Sequence, residues 1–367
     1  MQSTVLTVDS GSRSLGNWFR ENLGIIASLV VLLALPFFVA LIDGQSFGDM
    51  LANENGQSKF IQSLVIEIFI LAIYAISYDL ILGITGILSF GHAMFFAAGA
   101  YATGIALKNL ELGLAGTFLL AVVVVGLANA LLFSIVLPRV QGITYALVTL
   151  GFASVFHIII QSNELSTWTG ADVGLQGINP PALLDTNADR FRFYVVSLFA
   201  TLIIYLIYRR FVDSPTGRVC VAVRENEDRA LMLGYNTFYF KFAVLIIASM
   251  TAAFAGFLHA LHQPIVSPNV ASLGWTVTAL LIILIGGVGT LSGALVGAAV
   301  FRLLEYYLDK WFGGIASFLL GAVYIALVLF IPYGIVGTWR AKAVQRKQGW
   351  EWLLKLLGFI RGEKEPS

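Results

Sequence analysis

The sequence predicts an all-α polytopic membrane protein with about eight to ten transmembrane helices, some of them interrupted by glycine. Three observations predict it. Hydrophobic residues make up 58% of the 367-residue chain and charged residues only 12%, a balance foreign to soluble globular domains. Apolar runs recur at 24–42, 60–82, 92–107, 112–137, 143–161, 193–208, 242–262, 275–285, 292–308 and 315–333, and runs of about twenty residues match the thickness of a bilayer core. Finally, Lys and Arg segregate when these runs are threaded as successive crossings from a cytoplasmic N-terminus. Arg13, Arg20, Arg139, Arg209, Arg210, Arg218, Arg224, Arg229, Lys241 and the basic residues from Arg340 onward fall inside, whereas Lys59, Lys108, Arg190, Arg192 and Lys310 fall outside. Both termini are therefore expected in the cytoplasm. The net charge of +1 hides this asymmetry, and the single cysteine, Cys220, excludes an intramolecular disulfide framework.

Residues 1–23 read as a polar cytoplasmic extension. The run 24–42 reads as an uncleaved first helix, because no small-x-small cleavage site follows it. It opens a membrane domain expected to cover 24–338. The second span carries Glu67 and Asp79, and a charge at mid-bilayer costs about 2.5–3.5 kcal/mol on insertion scales, so both should face the bundle interior. Twelve residues separate them, about 18 Å of helix at 1.5 Å per residue, which keeps them out of one site. Glu67 is expected to be the more deeply buried, as a hydrogen-bonded structural carboxylic acid, with a proton or sodium role as the alternative. Asp79 is expected near the cytoplasmic end, half solvated.

The segment 83–91 breaks the rules of a span. Gly83, Gly86 and Gly91 stand among Thr85, Ser89 and His92, and irregular backbone at membrane depth persists only where protein buries it or a watery pathway touches it. A second glycine-rich segment, Gly286–Gly293, follows the short run 275–285, just as 83–91 adjoins the short run 92–107. Paired interrupted segments point to a solute path. Gly286–Gly293 is equally consistent with a tight turn between packed helices. The path-lining candidates are Thr85, Ser89, His92, Thr144, Tyr145 and Thr149. Each also has a structural reading, His92 as a hydrogen-bonded helix-start residue and the threonines as interhelical donors.

The loop 162–191 is the longest outside connection and suits a partner site. The cytoplasmic loop 209–241 mixes apolar residues with dense charge from Arg218 to Leu233, a pattern for short helices, with Gly234 placed to end the last one. Short helices of this kind dock in grooves of partner proteins. Arg302 and Glu305, three residues apart, can pair on one helical face. His259 and His262 lack further ligands at metal spacing, so no metal is assigned. The tail 339–367 sets Trp350, Trp352, Leu353 and Leu357 beside Arg346, Lys347 and Lys355, as an interfacial helix or a helix packed on the protein's own cytoplasmic face would.

No G-x-x-x-x-G-K-[ST] motif is present, so this chain is not expected to hydrolyse ATP, and no nucleophile–base arrangement suggests an enzyme. No cofactor is expected in it. Energy must then come from a partner or from an ion gradient.

Three stretches together resemble one family. They are Asp79–Tyr101, the series Gly217-Arg218…Arg224-Glu225-Asn226-Glu227…Gly234, and Gly286-Gly287-Val288-Gly289-Thr290-Leu291-Ser292-Gly293; Tyr145–Phe152 matches as well. From about Phe60 to Thr338 the chain resembles the M-type permease subunit of bacterial branched-chain amino acid ABC importers. The resemblance implies a coupling helix at Gly217, Arg218, Arg224, Glu225, Asn226, Glu227 and Gly234. It implies a heterodimer with a sister permease, two ATP-binding subunits carrying the ATP, an extracytoplasmic solute-binding protein and surrounding lipid of the bacterial inner membrane, with no nucleic acid. Asp228-Arg229 departs from the family's alanines, which leaves partner choice open. Substrates implied are branched-chain or other neutral amino acids, with urea or amides as an alternative. Outside the resemblance stand an ion-coupled secondary transporter using Glu67 and Asp79, and a passive channel-like scaffold.

Overall fold

The computed structural model describes residues 15–339 apart from 45, 47, 49–52, 54 and 55. The tail helix expected within 339–367 therefore lies outside the described residues from 340 on, as does most of the N-terminal extension. Every apolar run named above is a helix. In chain order they are α1 (Leu15–Ile42), α2 (Gln57–Asp79), α3 (His92–Lys108), α4 (Leu114–Ser134) and α5 (Gly142–Gln161). These are followed by α6 (Arg190–Asp213), α7 (Pro215–Glu225), α8 (Glu227–Met232), α9 (Thr237–His262), α10 (Leu273–Gly286), α11 (Ser292–Phe312) and α12 (Ala316–Phe330).

Among the described residues, seven stretches are long and apolar enough to cross a membrane: Leu23–Ile42, Gln57–Ile84, Leu114–Ser134, Gly142–Gln161, Arg190–Asp213, Thr237–His262 and the α11–α12 stretch Ser292–Trp339. The chain is thus a multi-pass, all-α membrane protein. With 17 and 14 residues, α3 and α10 fall short of a standard crossing, as their runs foretold.

Residues 1–62 and 63–367 form two compact units. Within the first, α1 begins at Leu15, nine residues before its apolar run, because a helix can continue through polar residues once nucleated. Pro36 interrupts its hydrogen-bond ladder, and the Pro36 carbonyl accepts the Ser58 hydroxyl at 3.1 Å. The Asp43 carboxylate accepts the Gln57 backbone N–H at 3.0 Å.

The second unit is built around α3. Nearly every residue from His92 to Leu107 is buried, which fits a helix that is apolar or small on all sides. Its closest neighbour is α9, where Gly99 and Gly256 let two backbones touch: a Cβ on Gly256 would overlap the Phe96 carbonyl, and one on Gly99 the Ala253 carbonyl. At one end of this bundle a short antiparallel pair, β1 (Leu175–Gln176) with β2 (Ile265–Val266), ties the 162–191 loop to the end of α9. At the other end lie the breaks that follow α2 and α10, together with α7 and α8.

Candidate functional site

The site begins where α2 stops being an α-helix. Leu80–Ile84 forms a π-turn, a wide turn frequent at functional positions, and irregular chain follows to Gly91. Thr85 closes the turn by donating its hydroxyl to the Leu80 carbonyl at 3.0 Å. Asp79, immediately before the turn, is fully buried. Its carboxylate accepts the Gly289 N–H at 2.6 Å and the Leu291 N–H at 3.1 Å. The half-solvated Asp79 expected from sequence is thus corrected: the second glycine segment folds over it and replaces its water with backbone donors.

That segment is a tight turn between α10 and α11, and it also packs on the first. Gly287 and Gly289 have φ of 118° and 75°, and even Leu291 is held at 50°, a conformation side chains resist. The strained Leu291 turns its N–H onto Asp79. A Cβ on Gly83 would strike the Asp79 carboxylate and the Gly289 backbone, so the two glycine segments meet only because neither carries a side chain. Thr276, near the start of α10, braces them from the other side. Its hydroxyl accepts the Ala93 N–H at 2.9 Å and donates to the Phe90 carbonyl at 3.1 Å.

The helix pair α7–α8 completes the junction. Ser214 caps α7 by accepting the Gly217 N–H at 3.2 Å, with Pro215 at the first helical position, and a Cβ on Gly217 would overlap the carbonyl of Phe211. Asn226 breaks the pair and caps α8, accepting the Arg229 N–H at 2.9 Å. Glu227 and Asp228 fill the first turn of α8, where acidic groups suit the helix dipole, and this accounts for Asp228 as a departure from alanine. Gly234, at φ 88°, ends α8 as expected: the Tyr235 N–H reaches the Ala230 carbonyl and the Gly234 N–H the Leu231 carbonyl. Lys241 fastens Glu227 at 2.6 Å.

Arg224, near the end of α7, links the helix pair to the breaks. Its Nη1 donates to the Gly83 carbonyl inside the π-turn, and its Nη2 pairs with Glu225 at 3.0 Å. Arg218 stands earlier on the same helix, about one and two-thirds turns before Arg224. One guanidinium thus touches the first glycine segment directly and, through Gly83, the Gly289 loop.

Beside Arg224 opens a cavity of about 370 Å3. Thr85, Tyr145, Arg224, Glu225, Asn226 and Glu227 all line it, so residues marked in sequence as path-lining and as coupling share one wall. The other path candidates are placed differently. Ser89 is buried and donates to Thr149 Oγ1 at 3.3 Å, and Thr149 donates to the Ala146 carbonyl at 2.9 Å. His92 is buried, its Nε2 against the Ser77 hydroxyl at 2.9 Å and its ring stacked on Tyr74 at 5.2 Å. Thr144 is exposed on α5.

The expectations for Arg302 and Glu67 also resolve. Arg302 pairs with Glu305 at 2.7 Å as the spacing predicts. It also binds Glu67, which is therefore less enclosed than Asp79, the reverse of the sequence expectation, because it opens on a second cavity rather than on packed backbone. Sequence reasoning missed Thr276 and underrated Asp79. A carboxylate placed just before a glycine break was the available signal.

Cys220, on the buried face of α7, reports on this docking. Burial pushes its thiol up to about 11, against a hydrogen bond with Thr85 that pulls the other way. Above the ordinary thiol value and below about 11 the folded chain keeps a proton that an unfolded one loses, so thiolate chemistry is suppressed near neutral pH. A maleimide is expected to leave Cys220 unmodified at pH 7 in the native protein and to modify it fully after denaturation. Rapid native labelling would mean that α7 is not packed as described.

The sequence model of the family described as the permease component of the branched-chain amino acid transport system matches residues 60–330. The high-affinity branched-chain amino acid transport system permease protein LivM of Salmonella typhimurium is 26% identical over 345 residues, covering 88% of this chain and 76% of its own length. A probable LivM permease of Methanocaldococcus jannaschii is 26% identical, with 72% and 89% covered. The LivH permease of the same transport function in Escherichia coli is also 26% identical, with 72% and 91% covered. No solved structure matches the chain.

Proposed function

Because the chain belongs to the branched-chain amino acid transport permease family, we propose that it is the translocation subunit of an ATP-driven importer for branched-chain or other neutral amino acids. It spans the bacterial cytoplasmic membrane with both termini inside, pairs with a sister permease, and takes solute from an extracytoplasmic binding protein. ATP is hydrolysed on two separate subunits. That LivM and LivH relatives are both named permease proteins of the branched-chain system supports a pair of permeases with related folds.

The observation that carries the reading is the α7–α8 pair. Its tip is apolar and open, with Met232 86% and Leu233 77% exposed, while its root is held to the π-turn by Arg224. Exposed apolar groups on a short helix mark a docking surface, and the guanidinium supplies a rigid connection from that surface to both interrupted segments. A partner that moves α8 would therefore move the Gly83 and Gly289 backbones. Solute would leave past Thr85 and Tyr145 through the cavity beside them. A gradient-driven carrier would need Glu67 or Asp79 free to exchange a cation, yet both accept hydrogen bonds from fixed donors.

The test is co-purification from membranes of the native host. The double variant Met232→Asp, Leu233→Asp alters only exposed side chains, so it should fold and reach the membrane normally. Two ATP-binding subunits are expected with the wild type and at least about tenfold less of them with the variant, as for loss of an interface hot spot. Equal recovery with both forms would remove α8 as the docking element.

A further inference from the structure

Residues 340–367 have no part in the importer proposed above, yet the chain reaches them from the glycine junction itself. After α12 it turns over 331–333 and begins a helical turn, 334–339. Gly334, buried and at φ 68°, lies against the second glycine segment. A Cβ there would overlap the backbone of Gly286 and Gly287, and a Cβ on Gly287 would overlap the Tyr333 carbonyl and crowd the Gly337 N–H. Gly287 stands two residues before Gly289, which donates to Asp79. Whatever holds the chain beyond Trp339 is therefore joined to the Asp79–Arg224 junction through packed backbone.

This exit lies at the edge of the bilayer. The outward face of α12 is apolar to its end, with Ile325, Val328, Leu329 and Phe330 exposed, and exposed Tyr333 and Trp339 follow it. Aromatic residues in that position sit at headgroup level. A narrow apolar groove lined by Leu281, Leu284, Leu327, Val328, Ile331 and Ile335 runs between α10 and α12 to the same turn and offers an acyl chain a seat. Beyond it the sequence places Arg340, Lys342, Arg346 and Lys347 with no acidic residue among them. Next come Trp350, Leu353, Leu354, Leu357 and Ile360, which share one side at helical spacing while Glu351 and Lys355 fall on another. An anionic leaflet attracts basic residues that directly follow a spanning helix, and its headgroup region accepts an apolar stripe behind them. The α7–α8 pair fits such a segment less well, because its charges balance: Arg218, Arg224 and Arg229 stand against Glu225, Glu227 and Asp228.

We propose that residues 340–360 bind anionic phospholipid of the leaflet at which they leave the bundle, and that the bound leaflet steadies the glycine junction through Gly334 and Gly287. That this is the cytoplasmic leaflet rests on the permease reading above; the demand for anionic lipid rests on the basic cluster and on the depth of the exit alone.

The experiment places the full chain in nanodiscs, which expose both leaflets, made of phosphatidylcholine alone or with about a quarter of phosphatidylglycerol. Leu353→Cys reports lipid contact through its rate of modification by a water-soluble maleimide, with peptide mass separating it from Cys220. Modification is expected to be at least about tenfold slower with phosphatidylglycerol. The unfolding midpoint of the wild-type chain is expected to rise in the same lipid, as for any ligand that binds only the folded state. Replacing Arg340, Lys342, Arg346 and Lys347 together by Gln is expected to abolish both effects. Inserting Gly-Ser-Gly-Ser after Trp339 separates them: slow modification persists, because the segment still binds, and the rise is lost, because the hold no longer reaches Gly334. Equal modification rates in the two lipids overturn the lipid site, slow rates placing the segment on the protein's own surface and fast rates leaving it in water. A midpoint rise that survives the insertion overturns the link to the junction. ATP-binding subunits take no part in these measurements, so their failure to co-purify would end the importer reading and leave the lipid result unaffected.

Discussion

Replacing Asp79 by Ala is expected to deplete the membrane of folded chain. The substitution strips the acceptor from two backbone N–H groups, that of Leu291, which is buried, and that of Gly289, which is partly buried. An unsatisfied buried donor costs about 1–3 kcal/mol, so Leu291 alone loses about that much against a typical domain stability of about 5–15 kcal/mol, and the partly solvated Gly289 N–H adds a smaller loss. The strain at Leu291 would then lack the hydrogen bond that offsets it. Asp79→Asn keeps one acceptor oxygen but turns an NH2 toward a donor, and should fall between Ala and the wild type. The measurement is the yield of monodisperse chain on size exclusion together with its thermal midpoint. An Asp79→Ala chain as abundant and as stable as the wild type would mean that the glycine loop does not depend on this carboxylate.

Arg224→Ala is expected to separate docking from transport. The side chain is partly exposed, so its removal should change stability little. What it removes is the hydrogen bond from the helix pair to Gly83. Uptake of labelled leucine should fall by a factor within about 5- to 150-fold, the span of typical coupling free energies, while the chain and the ATP-binding subunits proposed for it are recovered in normal amounts. Arg224→Lys should recover part of the loss, since a point charge reaches one acceptor where the planar fork serves both Gly83 and Glu225. Uptake unchanged in Arg224→Ala would show that motion of α7 reaches the glycine segments by another route.

Both expectations concern backbone groups, and this explains what could be read from the chain beforehand. Helices were legible because lipid leaves a spanning segment no other way to satisfy its backbone, so each apolar run had to become one. The ends of α8 were legible too, since Asn226 and Gly234 act within a turn of where they stand. The partners of Asp79 were not. They lie more than two hundred residues away in a segment whose glycines advertise close approach without saying to what. Thr276 was invisible for the same reason: a hydroxyl on an apolar run has no local signature, and its two partners belong to the start of another helix.

The amino-acid sequence by itself determined that this chain is a multi-pass helical membrane protein, where its helices run, where two of them break and which loop carries the short charged helices. Those properties follow from hydropathy, helix period and capping, which act over a few residues. Only the tertiary structure decided that the two breaks touch, that Arg224 joins them to the helix pair, that Asp79 is sealed in rather than solvated, and that Arg302 holds Glu67 as well as Glu305. Those are contacts between distant segments. They depend on the missing side chains of Gly83 and Gly289 and on the helix packing that carries charged groups to their partners, neither of which local pattern encodes.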